Sequence, residues 1–247
     1  QTLDVANEGG KLLIVMEYVP GVSLARLLEL GMKSRSSIPP RVVSAIVCDL
    51  LRGLHAAHQL VDGNGFPLNV VHRDISPQNV LVGTDGVSRI LDFGVAKASS
   101  QRHVTMRGEI KGKLAYMPPE QAVGDAVDCR ADVYAAGVVL WEALVGRRLF
   151  TGKREEELVA QIFEGTVDPP SMLADEPLPP AVDHVVLRAL SRIREDRWSS
   201  AAEMADRLAQ ALSPAHHDEV GAYIAQAAHA DLYERATLVS SLEEQSQ

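Results

Sequence analysis

Apolar and polar positions follow two different rhythms along this 247-residue chain. Near the start, Gln1–Val5 and Lys11–Tyr18 (KLLIVMEY), joined across Asn7-Glu8-Gly9-Gly10, predict a β-hairpin. The second strand is apolar nearly throughout, the pattern of a strand covered on both faces. Pro20-Gly21 ends it, and Val22–Leu30 predicts a short helix. Pro39-Pro40 opens a longer helix to about Gln59, where Val43, Ile46, Val47, Leu50, Leu54 and Ala57 keep the spacing of a buried stripe. From Val70 to Leu91 short β runs are broken by Ser76-Pro77, Thr84-Asp85-Gly86 and then Asp92-Phe93-Gly94. Ala98–Lys113 is polar and aperiodic, and predicts a mobile loop. Helical periodicity returns over Ala131–Val145, Arg154–Phe163, Ala181–Leu190 and Ala201–Leu212, the last opened by a Ser200/Glu203 capping box. Ser213-Pro214 marks a boundary, beyond which Glu219–Leu242 predicts one or two amphipathic helices.

A hydrophobic content of 46% sustains one sizeable core, and an aromatic content of only 4% makes it Leu-, Val- and Ala-rich and mainly helical. The 24 basic and 33 acidic residues sum to −9, which argues against a general binder of nucleic acid or anionic membranes. The most apolar stretch, Val133–Val145, is too short to span a bilayer and carries Glu142, so no membrane segment is expected. Cys48 and Cys129 are isolated in apolar, helix-like surroundings and read as reduced core residues, which suits a cytoplasmic setting. The bias to Arg over Lys hints at a GC-rich bacterial genome. His55, His58, His216 and His217 have no acid or Cys at ligand spacing, and read as surface or core histidines.

The chemistry sits in VVHRDISPQNVLVGTDGVSRILDFGVAK. His72-Arg73-Asp74, Asn79 and Asp92-Phe93-Gly94 supply a base and two metal-binding side chains in the order phosphoryl transfer requires. Asp74 can accept a hydroxyl proton, while Asn79 and Asp92 can hold Mg²⁺ against nucleotide phosphates. From about Lys11 to Leu212 the chain resembles the hinge and carboxy-terminal lobe of a bacterial eukaryotic-like (Hanks-type) serine/threonine protein kinase. The resemblance implies an α+β, protein-kinase-like fold, mostly the helical lobe. Residues 1–20 would be the last two strands of the small lobe and the hinge, 21–212 the large lobe, and 213–247 a helical extension. It implies ATP and Mg²⁺ as cofactors and Ser/Thr-bearing proteins as substrates, with the C-terminal helices as a candidate partner surface.

By the same resemblance Met16 is the gatekeeper, and Glu17, Tyr18 and Val19 form the hinge whose backbone faces adenine. Leu81 floors the base and Ser23 reaches the ribose. Arg73 and Lys97 would hold a phosphorylated activation segment, with Thr105 as the preferred acceptor. Glu120, in Tyr116-Met117-Pro118-Pro119-Glu120, would pair with Arg197, and Asp132 would accept backbone N–H bonds from the His72-Arg73-Asp74 turn. Two positions depart from the family pattern. A Lys usually stands two residues after the catalytic Asp and a Thr just after the activation loop; here they are Ser76 and Lys113. This reads as a swap, in which the Lys113 ammonium reaches Asp74 and the transferring phosphate, with the Ser76 hydroxyl as its partner.

No G-x-G-x-x-G or V-A-I-K stretch precedes the hinge in this sequence. The chain is therefore expected to be an N-terminally truncated kinase, weakly active alone and prone to aggregate through its exposed β edge. A pseudokinase or docking module is the alternative, disfavoured by the joint presence of Asp74, Asn79 and Asp92. A small-molecule kinase is disfavoured by Pro119-Glu120 and Arg197.

Overall fold

A computed structural model describes residues 2–8, 11–91, 113–152 and 154–245, with the backbone alone for 2–14 and for 243 and 245. Strands β1 (Thr2–Glu8) and β2 (Lys11–Met16) form an antiparallel hairpin with an irregularity between Thr2 and Asp4. Among the described residues this sheet has only these two strands. Cover on both faces, expected of β2, is not found at its end, where Val15 and Met16 are 46% and 52% exposed. A strand is buried twice only where layers stand on both sides of its sheet.

A four-residue linker, Glu17–Pro20, leads into β3 (Gly21–Ser23), which pairs with β4 (Val80–Gly83), itself paired with β5 (Ser88–Ile90). Val22 lies opposite Val82 and is fully buried there, so the helix expected from Val22 begins two residues later. Strand pairing overrides the local helical pattern at that point. Helix α1 (Leu24–Ser34) is capped by the Ser23 hydroxyl, which accepts from the Arg26 amide, and ends where Arg35 turns left-handed at φ 53°.

The helical body comprises α2 (Pro40–His58), the single turn α3 (Pro119–Ala122), α4 (Arg130–Val145), α5 (Glu155–Glu164), α6 (Pro180–Ala189) and α7 (Ala201–Ala211). Of these, α2 and α4 to α7 end within one residue of the bounds expected from periodicity, whereas α1 runs four residues beyond the expected Leu30. Helix α4 is buried on every face from Ala131 to Leu144, which makes it the axis of the core, packed by α2, α6 and α7. The Ser200 cap is present, its hydroxyl accepting from the Glu203 amide, but the Glu203 carboxylate reaches Ser199 rather than closing a box on Ser200.

The final segment forms two helices, α8 (His217–Ala227) and α9 (His229–Gln245). Val220 and Ile224 of α8 are fully buried against the body, and Ala215 just before it donates to the Arg41 carbonyl at 2.9 Å. The β4–β5 turn meets α8 so closely that a Cβ on Gly86 would collide with the His217 carbonyl. Gly86 also has φ +77°, which an L side chain rarely adopts. Among the described residues no helix is long and apolar enough to cross a membrane.

Gly86→Ala is expected to lower the unfolding free energy by roughly 3 kcal/mol, combining left-handed strain with steric displacement of α8. Gly65→Ala is the control: φ is +85° there but the space around it is open, so only about 1–2 kcal/mol should be lost. Urea denaturation of both variants checks the difference.

Candidate active site

Asp132, in the first turn of α4, is 1% exposed and is the anchor of the site. Its Oδ2 accepts the His72 amide at 2.8 Å and its Oδ1 the Arg73 amide at 2.9 Å. His58, from the last turn of α2, brings its Nε2 to within 2.8 Å of Oδ2. A carboxylate partner requires a donor, so Nε2 carries the proton in this arrangement. Among the described residues His58 Nδ1 has no hydrogen-bond partner. Arg73 is held at φ 64°, a left-handed conformation costing about 1–2 kcal/mol for a side chain of this kind. Its amide bond to Asp132 fixes that conformation.

Directly beyond this turn, the Asp74 amide donates to His72 Nδ1 at 3.3 Å, while His72 Nε2 lies 3.2 Å from the Leu91 carbonyl. An accepting Nδ1 makes Nε2 the donor to Leu91. The Leu91 amide in turn donates to the Asn79 carbonyl at 2.8 Å. Pro77–Asn79 is a tight 3₁₀ turn from which the Asn79 side-chain Nδ2 donates to the Asp74 carbonyl at 2.7 Å and to its Oδ2 at 3.3 Å. Lys113 Nζ completes the cluster, 2.8 Å from Asp74 Oδ2. Ser76, 5% exposed, lines the same cleft with Asp74 and Lys113. That cleft encloses only about 10 Å³, about the room of one water.

The segment after Lys113 is pinned to the helical body at two places. Glu120 forms a bidentate ion pair with Arg197, at 2.6 and 2.8 Å. The Arg197 side chain is fully buried and also donates to the carbonyls of Ser191, Arg130 and Arg192. Tyr116 donates its hydroxyl to Glu142 Oε2 at 2.7 Å, and the Leu149 amide donates to Oε1 at 3.1 Å. Arg148 meets both Tyr116 and Glu142. Burial pushes the Glu142 carboxyl above its ordinary value, against the pull of Tyr116, Arg148 and the Leu149 amide. Burial likewise pushes the Tyr116 hydroxyl far up, with the Glu142 charge adding to it.

The other sequence-derived positions are distributed as follows. Glu17–Pro20 has no regular secondary structure, with Met16 and Tyr18 more than half exposed and Val19 half-buried. Ser23 and Leu81 are cross-strand partners of β3 and β4, and Leu81 stands two residues after Asn79. The strand pairing thus carries the linker to the turn that holds Asn79. Ser23 uses its hydroxyl as the α1 cap. Asp92, Lys97 and Thr105 lie outside the described residues. Cys48 is buried as expected, whereas Cys129, at the start of α4, is only half-buried. Two participants escaped sequence reasoning. His58 continues the buried stripe of α2 four residues after Leu54, so its phase signalled a partnered core histidine. Glu142 was read only as a charge in an apolar helix, and its partner Tyr116 is distant in sequence.

The donor set suits a magnesium nucleotide as far as it is described. With its amide nitrogen turned to Asp74, the Asn79 carboxamide presents its oxygen on the opposite side, and a hard cation takes oxygen ligands.

A protein kinase domain model matches residues 1–244. Tyrosine-protein kinase MasK of Myxococcus xanthus is 42% identical over 200 residues, covering 81% of this chain and 31% of that protein. Serine/threonine-protein kinase PknB of Mycobacterium tuberculosis is 36% identical over 193 residues, covering 77% of this chain and 29% of that protein. This chain therefore spans less than a third of the length of these curated relatives. Among solved structures, the M. tuberculosis PknI kinase domain superposes with a TM-score of 0.59 at 25% identity, covering 85% of this chain and 69% of that one.

Replacing Arg197 with Ala leaves Glu120 and three backbone carbonyls without their buried donor, and should cost about 3–5 kcal/mol in denaturant unfolding. Glu142 gives a pH signature. A folded value raised above the ordinary 4.5 means that the native state holds the proton more tightly than the unfolded one. Its contribution is then fully present below that pH and is lost as pH rises through the folded value. Relative to Glu142→Gln, the parent protein should lose stability as pH climbs above 4.5. A parent that gains stability over the variant across that window would show that the Tyr116 and Arg148 contacts outweigh burial.

Proposed function

The chain belongs to the protein kinase family, and on that footing we propose that it transfers the γ-phosphate of ATP to Ser/Thr hydroxyls of proteins, with Asp74 as the base. In this reading residues 1–20 are small-lobe strands and hinge, 21–212 the large lobe and 213–247 an extension. The Glu17–Val19 backbone binds the adenine edge below Met16, Leu81 lies under the base, and Ser23 lies toward the ribose. Asn79 and Asp92 hold Mg²⁺, whose charge offsets the phosphate charge when it is bound. Arg73 with Lys97 receives a phosphorylated Thr105. A reducing cytoplasmic setting suits both the donor nucleotide and the two unpaired cysteines.

The observation that carries this reading is the meeting of Lys113 Nζ and Asn79 Nδ2 on one carboxylate oxygen of Asp74. Asp74 orients the acceptor hydroxyl and takes its proton as the oxygen bonds to phosphorus and the ADP oxygen leaves. Lys113 supplies beside it the cation that this family usually carries two residues after the base. Charge placed in advance next to developing negative charge lowers the barrier without reorganisation. Ser76 occupies the vacated position with a hydroxyl, so site charge is conserved although its origin has moved. Asp132 and His58 keep the turn in place.

In the full-length protein, assayed with Mg·ATP and peptides bearing Ser, Thr or Tyr, Asp74→Asn should lower kcat by about 10²–10⁴-fold. Lys113→Ala should lower kcat by about 10²–10³-fold, and adding Ser76→Lys should restore part of it. An unchanged kcat in Lys113→Ala would sink the swap. Transfer to Tyr peptides alone would overturn the Ser/Thr assignment.

A further inference from the structure

Among the described residues the order is β3-β4-β5, which makes β3 an edge strand. It is also the continuation of the linker assigned to the adenine edge. Helix α9 lies against that edge. Arg235 Nη1 donates to the carbonyl of Gly21, the first residue of β3, at 2.7 Å. One turn earlier on the same helix face, Asp231 accepts from Arg26 in the first turn of α1, Oδ1 from Nε at 2.8 Å and Oδ2 from Nη2 at 3.2 Å. The two grips bracket Gly21 to Arg26, the segment that contains Ser23. On the other side of the linker, the Pro20 carbonyl accepts the Thr84 amide at 2.9 Å, from the turn that packs on α8.

These contacts differ in kind from those of the preceding helix. Helix α8 buries Val220, Gly221 and Ile224 and extends the core. Helix α9 adds a bidentate ion pair and a charge-assisted bond to a backbone carbonyl, which fix direction as well as distance. In its second half, Leu238 and Leu242 are 59% and 53% exposed. The grip described here lies on the turn that faces the linker.

We infer that α9 is a strut for the nucleotide linker, with Arg235 and Asp231 as positioning residues that set affinity for Mg·ATP through Gly21 and Arg26; this rests on the kinase reading above. Neither residue touches the reacting atoms. A fixed Gly21 carbonyl and a fixed α1 start hold the Glu17–Pro20 backbone in one conformation, so less ordering remains to be done when a planar base binds along it.

The test uses the full-length protein and its variants Arg235→Ala, Arg235→Lys and Asp231→Asn. Mg·ADP binding is measured by calorimetry, KM for ATP and kcat by phosphate transfer, and amide hydrogen exchange over residues 17–23 by mass spectrometry. Arg235→Ala should raise Kd for Mg·ADP and KM for ATP about 3- to 10-fold, leave kcat within about twofold, and speed exchange over residues 17–23. Asp231→Asn should act in the same direction. Arg235→Lys should recover most of the loss, because one donor suffices for one carbonyl. Unchanged affinity and exchange in Arg235→Ala, an effect confined to kcat, or no recovery by Lys overturns the strut. A parent protein that binds no Mg·ADP overturns the kinase reading and the nucleotide role with it. The exchange comparison separates that failure from failure of the grip itself.

Discussion

The site depends on one buried carboxylate. Asp132 is removed from water at the start of the core helix, and a charge there is tolerated only when donors surround it. Three supply that compensation: the amides of His72 and Arg73 and the ring of His58. The exchange works in both directions. Asp132 gains its solvation from the His72–Arg73 turn, and the turn gains a fixed left-handed Arg73 that the chain would otherwise avoid. Asp74 follows in sequence, so its position is inherited from a bond it does not make. Removing a donor leaves a buried charge under-compensated rather than a small gap.

The same helix controls the other half of the site. Glu142 is ten residues beyond Asp132 on α4, about 15 Å along the axis, and it binds Tyr116. Tyr116 closes the short turn that starts at Lys113, its amide donating to the Lys113 carbonyl at 3.1 Å. Glu120, four residues further, is locked to Arg197. Helix α4 thereby acts as a ruler: Asp132 sets where the turn before Asp74 stands, and Glu142, through Tyr116, sets where Lys113 arrives. Asp74 and Lys113 are 39 residues apart in sequence, so their contact depends on tertiary packing.

Much of this was legible in the sequence wherever local chemistry and burial agree. Helix α4 is apolar on every face and could only be central, and the proline at the first position of α2 and the stripe behind it mark that helix. The ion pair of Glu120 with Arg197 and the Asp132 bonds to the turn followed from motif order. Where a tertiary partner outweighs local preference, the reading failed. Val22 fits a helical pattern, yet its pairing with Val82 makes it a strand residue. Met16 and Val15 carry the signature of a doubly covered strand, but cover is a property of neighbouring layers, which a single strand does not encode. His58 was read as a surface or core histidine without asking what a histidine in a buried stripe must bond.

The C-terminal helices show the limit most clearly. Asp231 and Arg235 have the spacing and order of an intrahelical ion pair, worth about 0.3–0.5 kcal/mol on a solvated helix. In the structure each leaves the helix instead, one for Arg26 and the other for the Gly21 carbonyl. The choice follows from what the partners lack. A carbonyl at a sheet edge has no strand to satisfy it, and a guanidinium at a helix start faces the unfavourable end of the dipole. Meeting those two needs gains more than pairing two residues that water already serves. Sequence spacing says which groups can meet, whereas the unmet requirements of neighbouring elements decide which of them do.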